Sequence, residues 1–185
     1  MQGAGNDYIY IDCFSERAPE DPAEVARVIA DRHFGVGGDG LVLIHPSEKA
    51  DARMQMFNAD GTEAEMCGNA IRCVAKYLYE EDIVAKKQMT IETACEDLEL
   101  ELQAERHHVQ SVRVDMGCPI LEAEKIPTLL SGNPVVDQSF PLVGAAGPSG
   151  TSLRVTCVSM GNPHCVIFVD RATDDLVLGL GPIIE

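Results

Sequence analysis

The 185 residues (20.0 kDa) are 45% hydrophobic and 24% charged, the balance of a globular chain with a usable core rather than of a disordered or fibrous one. Thirty Asp and Glu against 14 Lys and Arg give a net charge of −16, which repels nucleic acid and anionic membrane surfaces, so neither is expected as a partner. No apolar run reaches the roughly 20 residues that span a bilayer, and the acid-rich N-terminal stretch lacks a signal-peptide pattern; the expected location is the cytoplasm.

Along the chain, β-rich or alternating segments predict strands at 8–13, 41–45, 52–57, 88–94, 97–103, 110–116, 139–143, 151–159 and 164–169. Two helices interrupt them. The first covers 21–32 and is opened by Asp21-Pro22; the second covers 68–82, and a weaker helical turn follows Asp174. In 68–82 the apolar residues Ala70, Ile71, Cys73, Val74, Ala75, Tyr77 and Leu78 leave only Arg72 and Lys76 to break the band, so this helix should be enveloped by curled sheet. Glu99 and Glu101 alternate with leucines and predict one wet sheet face. The Gly- and Pro-rich stretch 117–140 reads as a domain crossing, giving domains 1–117 and 118–185.

Seven cysteines cannot all pair, and no Cys-x-x-Cys occurs, so neither a disulfide framework nor a zinc site is expected. Cys157 and Cys165 lie in apolar runs and read as small buried hydrophobes. Cys67 stands apart because it falls at the entrance of the second helix. The first-turn N–H groups lack helical partners and the macrodipole is positive there, which favours a thiolate able to act as nucleophile or base. Gly68 leaves the backbone open to a ligand, and the amides of Gly68 and Asn69 suit a carboxylate. On these residues alone, a simple cap at Cys67 and a turn former at Asn69 remain alternatives. The Gly35–Gly40 cluster leads into a strand without a following Lys-Ser/Thr and reads as a turn, not a phosphate loop. His33, His45, His107 and His108 have no companion at ligand spacing, whereas His164 follows Gly161-Asn162-Pro163, a turn that presents Asn162 and His164 together.

Gly5-Asn6-Asp7 in the first half is echoed by Gly161-Asn162-Pro163 in the second. Asn6 precedes Cys67 by 61 residues, so a repeat would put a second helix-entrance cysteine near position 223, beyond Glu185.

Four segments taken together, Gly3-Ala-Gly-Asn-Asp-Tyr8, Arg32-His-Phe-Gly-Val-Gly-Gly-Asp39, Phe57-Asn-Ala-Asp-Gly61 with Met66-Cys-Gly-Asn-Ala-Ile-Arg-Cys73, and Ser159-Met-Gly-Asn-Pro-His164, resemble diaminopimelate epimerase. The resemblance implies an α+β fold of two pseudo-symmetric strand-rich domains, each around a central helix, with the second incomplete in this chain. It implies an isomerase that needs no cofactor and no metal. In that family LL- and meso-2,6-diaminoheptanedioate are interconverted in lysine and peptidoglycan precursor synthesis by two cysteines facing each other across the interdomain cleft. By motif, Cys67 resembles the first catalytic cysteine and His164 a residue that tunes the cysteines. Gly68 and Asn69 resemble the α-carboxylate site, and Asn6, Asn58 and Asn162 resemble asparagines that read the substrate's polar groups. Ala70 departs from a frequent glycine, and Gly40 stands where some relatives carry glutamine. The second Ala-Cys-Gly-Thr-Gly segment is not among these residues, so the expectation is a fragment inactive by itself. A small-molecule substrate is the implied partner, and a homodimer is an open assembly. Two other readings stand beside this one: a proline-racemase-like enzyme using the same pair of thiols, and a non-catalytic module that binds a small amino dicarboxylate.

Overall fold

The computed structural model describes residues 1–141 and 152–184, which fall into two compact units, Met1–Met116 and Gly117–Glu185. The first is built on an eight-stranded mixed sheet. Its strands are β1 (Gln2–Gly3), β2 (Asn6–Asp12), β3 (Gly40–His45), β4 (Ala52–Asn58), β5 (Glu63–Ala64), β6 (Gln88–Glu92), β7 (Asp97–Glu105) and β8 (His108–Val114). They are ordered β1-β2-β3-β4-β6-β7-β8, with β5 paired to β4. The pairs β2–β3 and β4–β6 are parallel, and the rest are antiparallel.

Helix α1 (Pro22–Ala30) connects β2 to β3. The Asp21 carboxylate accepts from the Glu24 N–H at 3.0 Å, and Pro22 costs no helical hydrogen bond at the first position. Strand β3 is apolar on both faces, and its alternation decides which helix meets which residues. Leu41 and Leu43 pack with Ala26 of α1 and Phe57, while Val42 and Ile44 belong to the core around the second helix, α2 (Gly68–Glu80). Ala70, Ile71, Val74, Ala75 and Leu78 of α2 are at most 1% exposed and join Met54, Met56, Met89, Ile91, Leu98, Leu100 and Leu102 from the curled sheet. In β7 the leucines face this core while Glu99 and Glu101 face water. Sheet curvature around one apolar helix thus fixes the helix entrance within the fold.

The second unit carries β9 (Gln138–Pro141), β10 (Ser152–Ser159) and β11 (Pro163–Val166) in the antiparallel order β11-β10-β9. Residues 142, 143 and 151 of the expected strands lie outside the described residues. Towards its C-terminal end this unit has a π-helical segment, Asp175–Leu180, and the short α3 (Gly181–Ile184), none of them buried. Residues 117–140 correct the domain-crossing expectation. They contain a 3-10 turn at Ala123–Lys125, and Ile126 and Val135 form a small core with Cys157. Spaced apolar residues among glycines and prolines therefore build this unit instead of linking it. A second correction concerns Cys165. Cys157 is 5% exposed as expected, but Cys165 is exposed, in the last strand of the order β11-β10-β9 among the described residues.

Candidate active site

Cys67 is the N-cap of α2, in an extended conformation (φ −141°, ψ 111°), and its side chain makes no capping hydrogen bond. The first helical bond runs from the Ile71 N–H to the Cys67 carbonyl at 3.0 Å, so the amides of Gly68, Asn69 and Ala70 precede the helical ladder. Positive backbone potential is therefore concentrated beside the sulfur. Cys67 is half-buried against the main core. At Gly68 an added Cβ would meet the Met116 side chain at 3.3 Å, so the glycine makes room for that thioether. At Gly3 an added Cβ would lie 2.7 Å from the Asn69 carbonyl oxygen, which is why β1 can cross so close to the first turn of α2.

From Asn69 a chain of polar contacts leads to the surface. The Asn69 amide donates to Asn6 Oδ1 at 2.7 Å, and Asn6 Nδ2 donates to Asp39 Oδ2 at 3.1 Å. The same Asp39 oxygen accepts from the Asp7 N–H at 3.1 Å. Arg32 grips Asp7 with two hydrogen bonds of 2.9 and 2.6 Å and reaches Asp39 Oδ1 at 3.0 Å. Neither Arg32 nor Asp39 was assigned a role by sequence reasoning. The Gly-Gly-Asp-Gly turn before a buried strand was the available signal, but it names no partner until β2 and β3 pair. Burial pushes the Tyr8 phenol up to about 12, and the Cys67 and Asp39 charges and a hydrogen bond to Cys67 add to the shift. Tyr8 therefore stays protonated beside the sulfur.

The Arg32 hydrogen bonds hold the Asp7 carboxyl below its ordinary value of 3.8. A depressed carboxyl contributes stability that is present above 3.8 and disappears as pH falls through the folded value. Arg32→Ala should therefore move the Asp7 carbon-detected NMR titration upward and flatten that acid dependence; an unmoved titration would sever Arg32 from the network.

Pairing register gathers the remaining first-unit residues. Tyr8 is aligned with Gly40, and Gly40 with Asn58, so the starts of β2 and β3 and the end of β4 share one sheet end. A Cβ at Gly40 would lie 2.0 Å from the Phe57 carbonyl oxygen. Asn58 begins a turn in which its side chain donates to Thr62 Oγ1 at 3.0 Å and its carbonyl accepts from the Gly61 N–H at 2.9 Å. The Ala59 N–H donates to the Asp39 carbonyl at 3.0 Å, tying this turn to the segment that also anchors Asn6. Asn6 and Asn69 are thus in direct contact, and Asn58 is joined to them through the segment around Asp39. Asn162 and His164 belong to the second unit, where both are exposed around the β10–β11 turn and the Asn162 carbonyl accepts from the Met160 N–H at 3.1 Å. A concavity over β6 to β8 includes none of these residues in its lining.

The model of the diaminopimelate epimerase family matches residues 1–122. The chain belongs to the diaminopimelate epimerase family. It is 46% identical over 185 residues to a diaminopimelate epimerase of Methanococcus maripaludis, covering all of this chain and 64% of that protein. It is 50% identical over 184 residues to one of Pelotomaculum thermopropionicum, covering 99% of this chain and again 64% of the relative. The chain therefore spans about 64% of the length of these curated family members. Among solved structures, a hydroxyproline epimerase from Agrobacterium vitis superposes with a TM-score of 0.59 at 16% identity, covering 90% of this chain and 49% of that one. A methylitaconate-delta-isomerase superposes with a TM-score of 0.53 at 16% identity, covering 96% and 55%. At such identity these likenesses speak for the fold alone, and the fold is that of the diaminopimelate epimerase family.

Proposed function

We propose that the protein to which these residues belong is a pyridoxal-independent isomerase that interconverts LL- and meso-2,6-diaminoheptanedioate. The observation that carries this reading is Cys67 at the entrance of α2, beside the Asn69–Asn6 contact, in a chain of this family. Epimerisation at an amino-acid α-carbon needs a base on one face, an acid on the other, and positive potential at the carboxylate as carbanion character develops. The amides of Gly68 and Asn69 supply that potential at the end of the helix. Cys67, as thiolate, takes the α-proton of one stereoisomer; a second cysteine, which the family resemblance assigns to the other domain, delivers a proton to the opposite face. In the reverse direction the two exchange roles. Asn6, Asn58 and Asn162 read polar ends of the substrate, and His164 tunes the thiol pair. Exclusion of water from around the bound substrate strengthens the helix-end field. The setting is lysine and peptidoglycan precursor synthesis in the cytoplasm.

The test is solvent-isotope incorporation by the full-length protein in D₂O. LL-diaminopimelate should yield meso product labelled at the α-carbon, while L-proline stays unlabelled. Labelling of proline instead would move the assignment to a proline-racemase-like enzyme. Calorimetric binding of diaminopimelate with no label in either substrate would leave the non-catalytic module as the reading.

A further inference from the structure

Cys157 of β10 and Cys165 of β11 are directly opposite in an antiparallel pair. Their side chains therefore share one face of the hairpin. The Cys157 N–H donates to the Val135 carbonyl at 3.0 Å, so the Cys157 peptide is turned away from β11. The two cysteines thus occupy a non-hydrogen-bonded pair, the register in which facing Cα atoms stand about 4.5 Å apart. That separation falls within the roughly 4.4 to 6.8 Å range of disulfide-linked cysteines. Both thiols are free. Cys157 is buried, with its Sγ directed to Thr128 Oγ1 at 3.6 Å, while Cys165 is exposed.

We infer that Cys157 and Cys165 form a cross-strand dithiol that closes to an intramolecular disulfide by exchange with a low-molecular-weight disulfide. The exposed member is the entry point. Cys165 thiolate attacks one sulfur of oxidised glutathione; the glutathione S–S bond breaks, a mixed disulfide forms at Cys165, and one glutathione thiolate leaves. Cys157 then gives its proton to solvent base, its sulfur attacks the Cys165 sulfur, and the second glutathione leaves. The protein dithiol is oxidised and one oxidised glutathione is reduced to two glutathiones. Partial desolvation of the sulfur, although the residue is exposed, and the neighbouring Cys157 sulfur hold the Cys165 thiol above its ordinary value, so the first step should accelerate as pH rises above neutrality. Once formed, the bond clamps both ends of the turn that carries Asn162 and His164. Any effect on turnover rests on the function proposed above; formation of the bond does not.

The experiment uses the native chain, oxidised glutathione at pH 8, iodoacetamide to block remaining thiols, and tryptic peptide mapping without reductant. The peptide running from Val155 to Arg171 holds Cys157 and Cys165 and no other cysteine. It should appear without alkyl groups and about 2 Da lighter than the dithiol form, the mass of the two hydrogens removed. In denaturing urea the same product should form at least roughly tenfold more slowly, since the strand register no longer aligns the sulfurs. A doubly alkylated peptide, a persistent glutathione adduct at Cys165, or equal rates in native and unfolded chains would each overturn the inference. No substrate enters the assay, so failure of the epimerase reading leaves this result unaffected.

Discussion

On the proposed function, Cys67→Ala in the full-length protein should abolish interconversion of the two diaminopimelate stereoisomers in both directions, with kcat falling by about 10³-fold or more, within the range for loss of a positioned acid–base group. The magnitude follows from where the sulfur sits. The Cys67 side chain makes no capping bond, so the backbone at this position caps α2 equally well in the alanine variant. The change removes chemistry and leaves the helix entrance in place. KM should accordingly move much less than kcat. Cys67→Ser keeps the shape but offers a far poorer base and should fall nearly as low. Steady-state kinetics with both stereoisomers measure the loss, and early deuterium labelling adds the stereochemical check. With the wild-type protein, solvent deuterium should enter product faster than recovered substrate. Retention of more than about a tenth of the activity in Cys67→Ala would be incompatible with a role as general base.

The second large effect is on stability. Ile71 lies one turn into α2, is 0% exposed, and packs in the core formed by the helix and curled sheet. Ile71→Ala should destabilise the first unit by about 2–5 kcal/mol, the cost of the lost apolar contact plus the cavity left behind. Ile71→Val, which removes one methylene, should cost only about 0.5–1.5 kcal/mol. Urea unfolding separates the two, with a lower midpoint and an unchanged m-value expected for both. Equal midpoints for the alanine variant and wild type would mean that the helix is not enclosed as described.

The features most legible in the sequence were those with a local period. Helix α2 declared itself through Ala70, Ile71, Val74, Ala75 and Leu78, and Cys67 was therefore placed correctly at its entrance. Strand β7 was equally plain, since Leu98, Leu100 and Leu102 alternate with acids. The two-residue strands β1 and β5 have no period to read. The Arg32–Asp7–Asp39–Asn6–Asn69 contacts join positions as much as 63 residues apart and exist only once β2 and β3 have paired in parallel, a register the local pattern does not encode. Cys165 shows the opposite failure. His164-Cys-Val-Ile-Phe168 is as apolar as a buried strand, yet composition cannot say which apolar run will be left exposed.

The polar chain beneath Cys67 has a sense as well as a path. A carboxylate at Asp39 can only accept, so Asn6 must turn its NH₂ toward it, and the Asn6 oxygen is left to receive the NH₂ of Asn69. Each amide is oriented by the one before it, like arrows laid tip to tail, with the anion at the first position setting them all. Asn6→Asp would keep the shape of the side chain but put an oxygen where the NH₂ donor was, deleting an arrow and setting one carboxylate against another. Positions 6, 39 and 69 therefore act as one sequence of donors and acceptors, in which a look-alike at one position leaves a neighbour without its partner.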